Sequence, residues 1–397
     1  MGALDEPSPR KIHDRAIPTM GGLAIFVSFF LGVGIADLSH FISVKNSLFA
    51  HIKIHHLLLG AFPLLLAGLA DDKYRINFKL KLTAQIVMAL IMLYFGYRVN
   101  GITNPFNGET IPLGFLGIPL TILWLVLIVN AIDFMDGIDG LSAGISLIAF
   151  VTIFIVSLYL QNAPAALLAA IAAGSVVGFL RYNFYPASIF MGDTGSLFLG
   201  FLLAVLSLAS AQKSSTAVAL AIPVTILGLP IIDAAVAVTR RWSSEWSASH
   251  SFLGRAFSWH KMFYADLDHI HHWILAKGFT KREAVIILYV VAAGFGISGF
   301  ILTAARYQSI ALLLLYMGAV FFIAFRKFPV SQTSLADRAL EPTREKNRET
   351  AGTGVASQSK LEHQVKQRFD YALIWLAAFL LPLFIFLGFV IGENWMK

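Results

Sequence analysis

The sequence predicts an all-α integral membrane protein, a polytopic bundle of about ten to eleven transmembrane helices with its active site on the cytoplasmic face. Three observations carry this. Mean hydropathy is +0.73 and 57% of residues are apolar against 13% charged, which excludes a soluble enzyme on a single anchor. Eleven apolar stretches are long enough to span a bilayer. Lysine and arginine divide unequally between the two sets of loops, and the polar motifs lie with the basic set.

In chain order the spans fall near 20–38, 53–70, 82–99, 113–132, 141–160, 164–182, 194–211, 217–239, 284–304, 308–325 and 371–391. The fifth and sixth form a tight hairpin around Asn162-Ala163-Pro164. With the N-terminus inside, residues 1–19, 71–81, 133–140, 183–193, 240–283 and 326–370, with their flanks, hold 24 of the 30 basic residues. The positive-inside rule therefore places these loops in the cytoplasm. A net charge of +7 suits such loops and is not read as nucleic-acid binding. Residues 2–19 are polar, with Arg10, Lys11, His13 and Arg15, and do not read as a signal peptide. There is no cysteine, so thiolate chemistry and disulfides are excluded. No internal repeat and no convincing GxxxG face is evident.

Three segments follow from composition. Residues 1–326 form a membrane-embedded catalytic domain, whose long cytoplasmic loop 240–283 carries Trp242, Trp246, Trp259 and Trp273 and is expected to be partly helical at the interface. Residues 327–370 read as a disordered linker, and 371–397 as an extra C-terminal transmembrane helix.

Five motifs stand on the cytoplasmic side. Asn130–Gly140 places Asp133, Asp136 and Asp139 at three-residue spacing, roughly one face of a helical turn. Gly137 and Gly140 let a ligand or a second backbone approach; a solvated loop is the competing reading. Pro18-Thr19-Met20-Gly21-Gly22 opens a helix with small residues, offering N–H groups to an anion beside Arg10 and Lys11, unless it is an ordinary basic juxtamembrane segment. Asp71 and Asp72 end an apolar helix where the dipole repels them. A divalent cation resolves that conflict, as does neutralisation by Lys73 and Arg75; Lys79, Lys81 and Gln85 follow. Arg181–Ser196 sets Asp193 between glycines and hydroxyls, suited to a metal with phosphate oxygens or to a helix cap. In Asp266–His272, three histidines fall within four residues; phosphate contact is preferred to zinc, because no cysteine or second histidine cluster lies on that side. Asp233, inside a span and about two turns from Arg240, is a functional candidate by position, or an ion-pair partner for the loop. Acids, bases and imidazoles at one membrane face suggest Mg²⁺-dependent chemistry on phosphates.

PTMGG, GLADDK with Lys81 and Gln85, NAIDFMDGIDGL, NFYPASIFMGDTGSLFLG and DHIHH occur here in the order of the polyprenyl-phosphate N-acetylhexosamine-1-phosphate transferases of glycosyltransferase family 4. The resemblance runs from about Arg10 to Ala284. The histidine motif resembles the undecaprenyl-phosphate N-acetylglucosaminyl-1-phosphate transferase branch more than the phospho-N-acetylmuramoyl-pentapeptide transferases, since Ile270 interrupts the histidines and Trp273 follows them. It implies that undecaprenyl phosphate attacks the β-phosphate of a UDP-N-acetylhexosamine and UMP leaves. The bilayer is the setting, bacterial inner membrane the location, and a homodimer an admissible assembly. By resemblance, Asp193 and Asp72 are ligands of Mg²⁺, or of Mn²⁺ in its place. Asp71 and Asp72 lie near the lipid phosphate and can serve as its base, and Asp136 and Asp139 flank the nucleotide. Asn183 and Phe190 bind uridine, His269, His271 and His272 contact the diphosphate, and Thr19, Lys81, Arg10 and Lys11 bind substrate.

Three departures are visible. Asp133 stands where the family usually has asparagine, Leu267 where a basic residue is common, with Arg255 or Lys261 as substitutes, and a helix usually precedes the basic segment. Asp133 and Leu267 keep an inactive homologue serving as an assembly scaffold as the alternative. A secondary transporter fits less well, because the acids gather at one face and no inverted repeat is present.

Overall fold

The computed structural model describes residues 4–5, 16–38, 54–103, 110–211, 221–248 and 269–304. These form eleven α-helices and two short hairpin pairings. In order the helices are α1 (Gly21–Leu38), α2 (Ile54–Tyr74), α3 (Phe78–Tyr94), α4 (Gly117–Phe134), α5 (Leu141–Tyr159), α6 (Ala163–Asn183), α7 (Gly192–Ala211), α8 (Ala221–Ile226), α9 (Gly228–Ala248), α10 (Ile270–Ala276) and α11 (Lys281–Ala304). Six stretches among the described residues are long and apolar enough to cross a membrane: α2, Gly114–Phe134 with α4, α5, α6, most of α7 and most of α11. The expected spans near 308–325 and 371–391, and the linker 327–370, lie outside the described residues.

Local signals set the helix ends. Asn77 caps α3, its side chain accepting from Lys79 N at 3.1 Å. Thr280 and Glu283 form a reciprocal capping box at the start of α11, with Thr280 N to Glu283 Oε2 at 2.7 Å and Glu283 N to Thr280 Oγ1 at 3.3 Å. Pro164 sits in the first turn of α6, and Asn162 Nδ2 donates to Ala209 O at 2.8 Å, which ties the α5–α6 hairpin to the end of α7.

Packing is centred on α7. It touches α1, α2, α4, α5 and α6, and 89% of its apolar window is buried, against 33% for α2. Phe26, Phe29 and Phe30 of α1 surround Phe198 at ring separations of 4.9 to 6.1 Å. Glycine makes these approaches possible: a Cβ on Gly22 would run into the backbone of Gly195, and one on Gly68 into that of Thr194. A second, smaller core joins α9, α10 and α11 through Leu229, Ile232, Ile270, Ile274 and Leu288, and meets the first along α5 at Leu141 and Ile145. The outward faces carry apolar side chains such as Phe62, Leu66, Leu90 and Val177, as a lipid solvent requires.

The structure corrects two expectations. The span expected at 217–239 is two helices broken at Leu227, because Pro230 has no N–H to continue the ladder from α8. The helix expected at 82–99 runs from Phe78 to Tyr94 and stops before Gly96, whose φ is +88°. The described residues are mostly helical, as expected, with two short strand pairings besides. Gly101–Thr103 (β3) pairs antiparallel with Thr110–Pro112 (β4), and Leu4–Asp5 (β1) pairs with Ile17–Pro18 (β2). The loop 240–283 is helical over its described ends, in α9 and α10.

Candidate active site

The C-terminal ends of α2, α4 and α6 and the N-terminal ends of α3, α5 and α7 meet at one end of the bundle, and the acids arrive with them. Asp71 and Asp72 close α2, where the helix dipole disfavours them. Two groups relieve that conflict. Lys81 Nζ lies 3.0 Å from Asp71 Oδ2 and also binds Asp193 Oδ2, so one ammonium joins acids from α2 and α7. Asp72 reaches across to the first turn of α7: Oδ1 accepts from Asp193 N at 2.8 Å, and Oδ2 from Thr194 N at 3.2 Å and Thr194 Oγ1 at 2.6 Å. The cap of α7 is thus a carboxylate from another helix, placed where the dipole favours it, and not Asp193 or Thr194. Neutralisation by Lys73 is not seen; its ammonium lies 4.9 Å from the Tyr74 ring centre.

The opening motif also acts through its backbone. Gly21 N and Gly22 N donate to Phe190 O and Met191 O at 3.0 and 2.8 Å, and Phe190 N donates to Pro18 O at 2.8 Å. Those N–H groups are therefore used within the protein and not held for an anion, and Thr19 is packed beside Gly192. Arg10 and Lys11 lie outside the described residues. Asn183 clamps the loop that follows it, accepting from Gly140 N at 3.1 Å and donating to Ile189 O at 3.0 Å. Asp139 accepts from Ala187 N at 3.0 Å in the same loop.

A cavity of about 360 Å³ opens between the two cores. Lys81, Gln85, Asn130, Asp133, Asp136, Asp193, His269, His271 and His272 line it. Asp133 accepts from Ser196 Oγ at 2.5 Å, and Gln85 and Asn130 bond each other, Asn130 Nδ2 to Gln85 Oε1 at 2.7 Å. Burial, then the charges of Asp133, Asp72 and Asp139, push the Asp136 carboxyl well above the usual carboxylate range. His271 packs over Gly137, and both its ring nitrogens are buried without a hydrogen-bond partner. Burial first, then His272 and His269, holds its pKa well below the ordinary 6.5, so the ring is neutral at pH 7. Orphaned buried nitrogens in a polar cavity are a place for a ligand's donor or acceptor.

The donor set fits a hard divalent cation. Among the described residues, three carboxylates and a single ammonium face the cavity, and oxygen ligands suit Mg²⁺. Among the described residues no three such side chains close into a preformed cage. Mg²⁺ needs none, since it keeps several waters and takes one or two carboxylates with substrate phosphates. Asp193 faces this space, while Asp72 acts one step behind it.

Sequence reasoning missed three contacts. Asp133 with Ser196 joins α4 to α7. Tyr289 Oη donates to Gly140 O at 2.5 Å and ties α11 to the acidic turn. Asp233 meets His269 Nδ1 and Ile270 N at 2.8 and 2.7 Å. Serine three residues beyond Asp193 was the one available hint; the other two depend on distant helices.

Helices of membrane-spanning length thus deliver acids, a lysine and imidazoles to one polar cavity, the arrangement of a membrane-embedded enzyme site. Residues 54–211 match the family described as Glycosyl transferase family 4. The chain is 35% identical to a protein of Bacillus subtilis (strain 168) named probable undecaprenyl-phosphate N-acetylglucosaminyl 1-phosphate transferase, over 86% of this chain and 87% of that one. It is 31% identical to the decaprenyl-phosphate N-acetylglucosaminephosphotransferase of Mycobacterium tuberculosis (strain ATCC 25618 / H37Rv), over 73% of each chain. Identity to the undecaprenyl-phosphate alpha-N-acetylglucosaminyl 1-phosphate transferase of Escherichia coli (strain K12) is 26% over 74% of each. The chain belongs to glycosyl transferase family 4.

Proposed function

We propose that this protein transfers N-acetylglucosamine 1-phosphate from UDP-N-acetylglucosamine to undecaprenyl phosphate at the cytoplasmic face of a bacterial inner membrane. The observation that carries the reading is the polar cavity at one end of the membrane-spanning helices, where Asp193, Asp133 and Asp136 face Lys81 and the histidines. The names of the relatives support the substrates, and the bias of basic residues supports the cytoplasmic side.

An oxygen of the lipid phosphate attacks the β-phosphorus of the UDP-sugar. A new P–O bond forms, the bond from the β-phosphorus to the bridging oxygen breaks, and UMP leaves with that oxygen. Such a reaction needs positioning and charge neutralisation more than covalent help. Asp193 would hold Mg²⁺, or Mn²⁺ in its place, and the ion would supply charge neutralisation for the diphosphate. Lys81 orients Asp71 and Asp193 and brings positive charge towards the phosphates. Asp71, beside Lys81, is placed to receive the lipid phosphate, with Arg10 and Lys11 as further phosphate contacts. Asp72 sets the first turn of α7 and with it Asp193. Neutral His271 offers a lone pair or an N–H to a phosphate oxygen, with His269 and His272 beside it. Asp139 and Asn183 hold the loop ending at Phe190, where the uridine would dock.

The test is UMP release by purified protein with undecaprenyl phosphate, Mg²⁺ and a panel that includes UDP-N-acetylglucosamine and UDP-N-acetylmuramoyl-pentapeptide. Release that needs lipid and metal and prefers the first sugar supports the proposal. Preference for the pentapeptide would move the chain to the peptidoglycan branch. No release from folded protein would favour the scaffold reading.

A further inference from the structure

The mechanism above leaves one buried acid unexplained. Asp233 stands on α9, 1% exposed, in the smaller core and away from the carboxylates of α2, α4 and α7. Its Oδ1 accepts from Ile270 N at 2.7 Å, at the first residue of α10. Its Oδ2 lies 2.8 Å from His269 Nδ1. One carboxylate therefore holds both the start of the helix that carries His271 and His272 and the ring of the histidine that precedes it. His269 is 4% exposed, lies parallel to the His271 ring at 5.8 Å, and lines the cavity.

We propose that Asp233 is a positioning residue that holds His269 as the Nδ1–H tautomer and turns the Nε2 lone pair to the ligand cavity. An ionised carboxylate only accepts, so Nδ1 carries the proton and Nε2 is left as the acceptor. The same contact stabilises the imidazolium that forms when Nε2 takes a proton from a phosphate O–H, the proton moving from that oxygen to the nitrogen. A carboxylate behind a histidine fixes ring and tautomer in this way on unrelated folds. This rests on the phosphotransfer reading for the proton donor, whereas the tautomer is a property of the protein alone.

The experiment is ¹⁵N NMR of the full-length, histidine-labelled protein in detergent micelles at alkaline pH, where imidazoles are neutral. The chain has 11 histidines, and the His269 signal is assigned by its loss in His269→Gln. The Nδ1–H pattern is expected in the wild type and the Nε2–H pattern in Asp233→Asn, whose amide offers N–H in place of the accepting oxygen. An Nε2–H wild type would overturn the proposal, because the proton would then ride on the carboxylate. In UMP release, Asp233→Asn should lower kcat by about tenfold or more with KM changed less than about twofold, and Asp233→Glu should restore part of it. An equal kcat in folded Asp233→Asn would also overturn it. If the wild type releases no UMP, the phosphotransfer reading fails while the spectrum still decides the tautomer.

Discussion

The two sides of the cavity are built differently. On the carboxylate side, acids from α2, α4 and α7 are held by contacts that cross helices: Lys81 to Asp71 and Asp193, Asp72 to the first turn of α7, Ser196 to Asp133. Glycines at 22, 68 and 195 let the backbones of these helices meet. On the histidine side, α10 is two turns long and one carboxylate, Asp233, holds its start. The difference teaches where each half can fail. The acids are gathered from several helices, whereas His269 leans on one carboxylate and both ring nitrogens of His271 are buried without a hydrogen-bond partner. A site that must assemble a cation and a diphosphate has its rigid half where the charge is greatest.

The largest effect should come from the rigid half. Asp193→Asn is expected to cut UMP release by at least ~100-fold, the scale of losing metal-based charge stabilisation, while the protein stays folded. Retained activity would remove Asp193 from the metal role. Lys81→Met should follow, with release reduced roughly 10–100-fold, as for a lost charged contact in the transition state. Without the ammonium, Asp71 and Asp193 repel, so the melting temperature should fall without divalent ion and recover more on adding Mg²⁺ than the wild type does. An unchanged response to Mg²⁺ would mean that the lysine and the cation do not share these acids.

Asp72→Ala isolates the structural part of the same half. It removes a cap, so a loss of about 1–2 kcal/mol in stability is expected from thermal or denaturant melts. A far smaller loss would show that the cross-helix cap is dispensable. The smallest effect belongs to the histidine half. The pKa of His271 is lowered in the folded state, so its contribution to stability is complete above about 6.5 and is lost as the pH falls from there towards the folded value. His271→Gln should flatten the acid limb of the melting temperature between about pH 6.5 and 5. A limb unchanged in that variant would assign the acid sensitivity to another group.

Much of the scaffold was legible because a bilayer leaves few choices. Among the described residues, apolar runs became helices close to where length and hydropathy put them, and Asn162-Ala163-Pro164 marked the turn between α5 and α6. The acidic turn after α4 and the stretch around Asp193 were visible as motifs. The break at Leu227 was not foreseen, because 217–239 reads as one long apolar run. The hairpin of β3 and β4 was hidden in a loop whose Gly and Pro content suits many turns.

By itself the sequence determined the class of solvent, the helices and the types of group available at one end. Those are local properties: hydropathy, backbone preference and the pKa of an isolated side chain. Only the tertiary structure decided that Asp72 caps α7 while Asp193 faces the cavity, that Lys81 joins α2 to α7, and that Asp233 serves a histidine 36 positions away. The neighbours Asp71 and Asp72, alike in chemistry, received different tasks: Asp71 pairs with Lys81, and Asp72 caps α7. The reason is physical: a carboxylate's role is set by its nearest partners, and here those come from distant parts of the chain.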